Sequence, residues 1–139
     1  MGLDLYLNDK NIDVKAIRSE LSKLYEKRRS IQDEIDRLEE YEGDAQLASE
    51  NITHNLTAMA EEAGLYEVFW HPERRDITSA AEMIGPIEQG LAKLESDPAY
   101  YKSFNSPNGW GTYDDFVGFT RSVLGKCKEF PDAVVVTSI

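Results

Sequence analysis

The chain has very few residues of the types that build disulfides and metal centres. Its 139 residues include one cysteine, Cys127, and two histidines, His54 and His71. One cysteine excludes an internal disulfide and fits a reducing compartment. These residues lack the spacing of a zinc site, and Cys127 falls on an apolar helical stripe, where a thiol is usually inert. We therefore expect no metal, no cofactor and no enzymatic activity.

Signals for membranes, secretion and nucleotide-binding loops are also missing. No apolar run approaches about 18 residues, the length of a membrane span. The first residues lack a basic segment and a cleavage site, so we expect no signal peptide. Met1 and Gly2 begin like a myristoylation site, but the sixth residue is Tyr6 rather than Ser or Thr. The chain contains neither a Walker loop nor a GxGxxG motif. We predict a cytoplasmic protein.

The net charge is strongly negative, at −11, with a pI near 4.6. This balance argues against binding to nucleic acid or to anionic lipid, so we expect neither as a partner. Mimicry of DNA is the weaker alternative that an acidic surface raises. Only residues 33–44 are acidic enough for it, because elsewhere Lys and Arg alternate with the carboxylates.

The hydrophobic pattern predicts an α+β fold that is mostly α. Leu3, Leu5 and Leu7 alternate with polar residues, and Val134 to Val136 form a β-branched run, so we expect these terminal strands to pair in one small sheet. Residues 66–70 are open to either a strand or a short helix. Helices are expected over 52–63 with a stop at Gly64, from a capping box at Ser79 to about residue 95, from Asp97 to about 104, and after Thr112.

Residues 14–38 have the heptad pattern of a long helix. Its apolar stripe is spaced by threes and fours, with Arg28 in one seam position; it consists of Val14, Ile17, Leu21, Leu24, Ile31, Ile35 and Leu38. Residues 10–29 hold seven Lys or Arg against three acids, whereas 33–50 hold eight acids against Arg37 alone. Two interpretations stay open: the stripe packs on helices of its own domain, or it joins an antiparallel homo-oligomer.

Three short segments, 51–56, 70–73 and 105–113, hold both tryptophans, both histidines and several asparagines. Amides and indoles together can bind and stack on a small polar ligand, and backbone amides near Gly109 could bind an anion at a helix start. The alternatives are a helix cap at Asn51, a solvated His54 and a hydrophobic plug at Trp110. The predicted ligand-binding residues are Asn51, His54, Asn55, Trp70, Arg74, Asn108, Trp110 and Tyr113.

The same segments carry a resemblance. The motifs are GLDLYL at 2–7, NITHNL at 51–56, Trp70 with Pro72 and Glu73, NGWGTY at 108–113, and Cys127 followed by a valine-rich end. In this order they resemble a family of small uncharacterised proteins of bacteriophages, prophages and bacteria. The resemblance covers residues 1–8 and 45–139 of one domain, with 10–43 as a helical insertion. It implies a phage context, hence the host cytoplasm, and no mechanism. Members often carry Arg where this chain has His71.

Two functional hypotheses follow. The first is a phage-type binding protein that sequesters a small polar or nucleotide-derived host signal and so counters host defence. The second is an interaction or oligomerisation module that inhibits a host partner through the long helix. The two are compatible if a homo-oligomer forms the binding pocket.

Overall fold

The structure is a computed structural model that describes residues 2–139. The chain divides into two compact units, one ending at Gln46 and the other spanning Leu47–Ile139. The boundary between the units lies between residues 46 and 47, whereas the sequence analysis ends the helical insertion at residue 43. No helix among residues 2–139 is both long enough and apolar enough to cross a membrane.

The first unit consists of irregular chain followed by one long helix, α1 (Val14–Ala45). The side chain of Asp13 caps its start by accepting a hydrogen bond from the amide of Ala16 at 3.0 Å. At its end, the amide of Gln46 bonds to the carbonyl of Gly43 at 3.1 Å. None of the residues of α1 is buried. Its apolar stripe is therefore exposed to solvent.

The second unit is built from short helices, three of which begin at predicted caps. Its elements are a 3₁₀ turn (His54–Leu56), α2 (Thr57–Glu62), α3 (Tyr66–Trp70), a 3₁₀ turn (Pro72–Arg75), α4 (Ala80–Ser96), α5 (Pro98–Lys102) and α6 (Tyr113–Glu129). The predicted capping box at Ser79 and the predicted caps at Asp97 and Thr112 are confirmed, and Thr112 also forms a capping box with Asp115. Gly64 follows α2 with φ +73°, as a helix stop requires.

The predicted sheet is wrong. Residues 2–139 contain no sheet, and the one β-type pairing described is an isolated bridge between Ser79 and Val134. The fold is therefore all-helical, not α+β. The alternating residues Leu3, Leu5 and Leu7 form no strand and are almost fully exposed. The ambiguous segment 66–70 is the helix α3.

The valine-rich C-terminal segment is hydrogen-bonded to the start of α4 instead of to an N-terminal strand. Its carbonyls accept from the first amides of α4: Ala80 bonds to Ala133 at 2.9 Å, and Ala81 bonds to Pro131 at 2.8 Å. The first amides of any helix lack partners within that helix. Pro131 and Ala133 supply these carbonyls just before the valines, and the amide of Val135 bonds to the carbonyl of Thr78 at 2.9 Å. The segment is thus held along the start of α4 without a second strand.

The core lies where α4 and α6 pack against the 54–70 region. Its fully buried side chains include Leu56, Met59, Leu65, Val68, Ile87, Leu94 and Phe116. Gly90 lets α4 approach closely, because a Cβ at that position would overlap the side chain of Leu65. Pro86, which we would expect to kink α4 or restart it, lies inside a helix that is continuous from residue 80 to 96.

Candidate functional site

One open cleft of about 510 Å³ lies within the second unit. Residues of three segments line it: Glu50, Asn51, Ile52 and Thr53 before the first 3₁₀ turn; Gly109, Trp110 and Gly111 in the loop before α6; and Asp115, Gly118, Phe119 and Ser122 on α6. Trp110 is 73% exposed, so a flat indole face is accessible to solvent at this cleft. The volume is in the range of pockets that hold small molecules.

The loop at 105–112 owes its shape to glycine. Gly109 and Gly111 have φ of +75° and +122°, which confirms the predicted left-handed turn residues. A Cβ at Gly111 would lie 2.9 Å from Cγ2 of Thr53 and 3.0 Å from Cγ of Leu56. The absence of a side chain at Gly111 therefore lets this loop close against the 53–56 turn and forms one wall of the cleft.

Two of the predicted asparagines fix this loop. The side-chain amide of Asn55 donates to the carbonyl of Trp110 at 2.9 Å. The side-chain oxygen of Asn108 accepts from the amide of Trp110, also at 2.9 Å. Both asparagines thus hold Trp110 in place, whereas Asn51 lines the cleft directly.

The backbone amides of the loop have partners already. The amide of Gly109 bonds to the Ser106 carbonyl at 3.0 Å, and that of Thr112 bonds to a carboxylate oxygen of Asp115 at 3.0 Å. With the amide of Trp110 held by Asn108, three of the donors near the start of α6 are occupied. The geometry therefore does not support the predicted anion-binding nest at Gly109–Thr112.

Trp70 and His54, the first residue of the 3₁₀ turn His54–Leu56, form a separate cluster outside the cleft lining. Trp70 is buried, and its indole N–H donates to Nδ1 of His54 at 3.1 Å. The ring of Trp70 stacks on Tyr66 with centroids 5.7 Å apart. The hydroxyl of Tyr66 lies 3.3 Å from Nε2 of His71, whose Nδ1 lies 3.2 Å from Glu73. Trp70 is thus a core residue with a satisfied polar atom, and it offers no stacking face to a ligand.

The last two predicted site residues also lie outside the cleft lining. Tyr113 is buried, and its hydroxyl donates to the carbonyl of Leu94 at 2.8 Å. Burial raises the pKa of Tyr113, and the nearby Glu95 carboxylate raises this pKa further. Arg74 is exposed in the 3₁₀ turn Pro72–Arg75 and does not line the cleft. The structure therefore groups Asn51, Asn55, Asn108 and Trp110 around the cleft, with His54 beside them.

The lining of the cleft is acidic. Glu50 and Asp115 contribute carboxylates, and the described lining contains no Lys or Arg. The hydroxyl of Ser122 donates to Glu50, and one oxygen of Asp115 is used by the capping box. A phosphate placed here would meet two negative charges with no cation to offset them, whereas an ammonium group would be attracted.

Sequence reasoning missed the residues of α6 that complete the cleft, as well as Glu50. Gly118 and Ser122 carry a weak signal, because they are small residues on the helix face that also holds Phe119. Glu50 has no local signal at all. Its place beside Ser122 depends on a contact between residues 72 positions apart.

A second candidate surface is the apolar stripe of α1. Its Leu and Ile residues are between 42% and 59% exposed: Ile17, Leu21, Leu24, Ile31, Ile35 and Leu38. Each lies three, four or seven positions from the next, so all are on one face of the helix. Arg28 occupies the seam position between Leu24 and Ile31, and its guanidinium lies 5.0 Å from the ring centroid of Tyr25. The charge is thereby moved toward the edge of the stripe.

Groups that would hold a metal ion do not cluster in the described part of the chain. Among residues 2–139, no three of His, Cys, Asp and Glu come together as a metal site would require. Every buried side-chain nitrogen or oxygen of that range has a hydrogen-bond partner. Burial raises the pKa of the Cys127 thiol, which lowers its reactivity.

Comparison with known proteins gave no match to a family model, to a curated protein or to a solved structure. The resemblance to phage proteins therefore stays a prediction.

Proposed function

We propose that this protein is a protein–protein interaction module that binds its partner through the apolar stripe of α1. The observation that carries the proposal is the exposure of the whole stripe on a helix of 32 residues with no buried residue. A contiguous apolar patch on a protein surface typically marks an interaction site. The heptad spacing further favours a helix as the docking partner.

The energy available from this surface is sufficient for a specific complex. Complete burial of a Leu or Ile side chain contributes about 1.5–3 kcal/mol, and six such residues are about half exposed on α1. Covering them would contribute roughly 5–9 kcal/mol from α1 alone, before the entropic cost of association. Burial of the partner's own apolar surface adds to this free energy, so a Kd in the micromolar range or lower is attainable.

Site-specific photo-crosslinking in the producing cells tests this proposal. A benzophenone amino acid replaces Leu24 on the stripe or, as a matched control, Glu26 on the opposite face of the same helix. We expect a discrete adduct from position 24 that is absent from position 26. If neither position gives an adduct, or both give the same products, α1 is not a docking surface.

A second function, binding of a small polar ligand, is supported by the exposed indole of Trp110 at the cleft. The acidic lining favours an uncharged or cationic ligand, since a cation can stack on an indole and pair with Glu50 or Asp115. A phosphate-bearing host signal is disfavoured by the same carboxylates. The phage setting and a role in countering host defence remain part of the sequence-based hypothesis.

Titration by calorimetry with choline, arginine methyl ester and AMP distinguishes these ligand classes. We expect heat of binding from the two cations and none from AMP, with loss of binding in Trp110→Ala and weaker binding in Glu50→Gln. The control is Arg74→Ala, which alters a predicted site residue outside the cleft lining. Absence of binding by all three compounds at millimolar concentration removes this second function.

A further inference from the structure

The charges along α1 are divided between its two halves in the order that opposes its own dipole. Its first turn contains no acid, and its last turn contains no base. A helix N-terminus prefers acids, and a C-terminus prefers bases. Apart from the capping Asp13, the charged residues of the first turns are Lys15 and Arg18. Glu42 and Asp44 lie at the C-terminal end, so the charges within each end of the helix suit the other end. A neighbour running in the opposite direction would supply what each end lacks.

We propose that the partner of α1 is α1 of a second copy of this chain, antiparallel, with Val14 of one copy opposite Ala45 of the other. This inference rests on the proposed interaction function and names its partner. The alignment overlaps the helices along their complete length. The remaining seam layers are Ile17 with Glu42, Leu21 with Leu38, Leu24 with Ile35, and Arg28 with Ile31, each occurring twice by symmetry.

The residues that flank the seam carry opposite charges in this alignment. In an antiparallel pair, flanking positions of the same type face each other across the seam. Lys27 then faces Glu34 of the second copy, and Arg18 faces Glu39 of the second copy. Twofold symmetry repeats each pair, giving four attractive pairs and no repulsive one among the charged flanking residues.

The other alignments of two copies lose this complementarity. Moving one helix by a heptad, so that Val14 lies opposite Leu38, places Glu20 against Glu34 and Lys27 against Lys27 of the second copy. A parallel pair in register places Glu34 against Glu39 of the second copy. Like charges at these positions are destabilising, so charge selects the full-length antiparallel alignment.

Two seam layers contain a charged residue, and both can be accommodated. Arg28 already directs its guanidinium over Tyr25 at the flank, 5.0 Å from the ring centroid, and so leaves its methylenes on the seam. Glu42 lies at the end of the pair, next to solvent. Both layers lower the stability of the pair, but they do not bury an isolated charge in its centre.

A charge swap measured by sedimentation equilibrium is the first test. Wild type is expected to be a dimer at micromolar concentration. Arg18→Glu replaces two attractive pairs by two repulsive ones, so Kd should rise roughly 10- to 30-fold. Glu39→Arg should weaken the dimer similarly, and the double variant should return to within about 3-fold of wild type. The control is Glu26→Arg, on the outer face, with no effect on Kd.

Cross-linking of single cysteines is the second test and reads the alignment directly. In a Cys127→Ala background, Ile31→Cys and Leu24→Cys are treated separately with a short bismaleimide. In the proposed pair, the two copies of residue 31 are about 4–5 Å apart along the axis, whereas those of residue 24 are about 16 Å apart. We expect dimer formation from position 31 and little from position 24.

The alternatives give different results, and each would overturn the inference. The alignment shifted by one heptad cross-links mainly at position 24. A parallel dimer cross-links at both positions, and Glu39→Arg would strengthen it by removing the contact between Glu34 and Glu39. A monomeric wild type excludes a second copy as the partner. If position 24 nevertheless gives a photo-adduct with another protein, the proposed interaction function stands and only the identity of the partner fails.

Discussion

The close approach of Gly90 to Leu65 leads to a quantitative prediction about the core of the second unit. In Gly90→Ala, the new Cβ would lie 2.7 Å from Cδ1 of Leu65 and still closer to its Cγ and Cδ2. Leu65 is completely buried, so its side chain cannot move aside into solvent. Overpacking of this kind costs about 1–3 kcal/mol, whereas exchanging Gly for Ala inside a helix gains up to about 1 kcal/mol.

The balance predicts that Gly90→Ala destabilises the second unit by about 1–2 kcal/mol. In a unit of this size, such a loss lowers Tm by roughly 5–15 °C. Gly125→Ala in α6 is the control, because residue 125 is exposed, is not followed by proline, and a Cβ there meets no atom within 4 Å. There only the gain in helix propensity remains, and we expect Tm to rise by a few degrees.

Thermal unfolding followed by circular dichroism measures both variants. A double-mutant cycle with Leu65→Ala isolates the contact: once Leu65 is shortened, Gly90→Ala should cost little or become favourable. If Gly90→Ala is as stable as Gly125→Ala in the wild-type background, the packing argument fails. Equal additive effects in the cycle would likewise show that residues 65 and 90 do not interact.

Three further outcomes are expected. Residues 47–139 expressed alone should unfold cooperatively, with a Tm within a few degrees of that of the full chain, because every buried core residue follows Leu47. A fragment that shows no unfolding transition in calorimetry would contradict this. Burial raises the pKa of Tyr113 above its ordinary value near 10, so the stability linked to its protonated phenol is complete below about pH 10 and is lost as the pH rises through the folded-state pKa. Tyr113→Phe should lower the free energy of unfolding by about 1 kcal/mol at pH 7, because the hydrogen bond to Leu94 is lost. The decrease in that free energy between pH 8 and pH 11 should be smaller in the variant than in wild type. Urea titrations that show the same decrease in both would refute this. At pH 8, Cys127 of the folded protein should react with a disulfide reagent much more slowly than Cys127 of the protein unfolded in urea. Equal rates would show that its burial is incomplete.

The parts of the fold that could be predicted are those set by neighbours in sequence. Asp97 and Thr112 cap helices because their side chains accept from amides three positions ahead, and Ser79 bonds to the Glu82 side chain over the same separation. Gly64 ends α2 because few other residues adopt its backbone angles without strain. Such signals act within one turn of chain, and they need no knowledge of the rest of the molecule.

The cleft was only partly predictable. Trp110 and Asn51 carry a recognisable local pattern, but Trp70, in another polar-aromatic segment, is buried in the core. The apolar Val68 and Phe69 before Trp70 favour burial, but the stacking of its indole on Tyr66 is visible only in the structure. Glu50 was missed for the same reason, since its contact with Ser122 joins distant parts of the chain.

By itself, the sequence determined where α1, α4, α5 and α6 begin and how charge is divided along α1, because caps, heptads and charge counts depend on residues a few positions apart. Only the tertiary structure decided that the β-branched C-terminal run pairs with the start of α4 and forms no sheet. The reason is that a backbone carbonyl bonds to an unsatisfied donor close to it in space, and here the donors are amides of a helix 50 or more positions earlier in the chain.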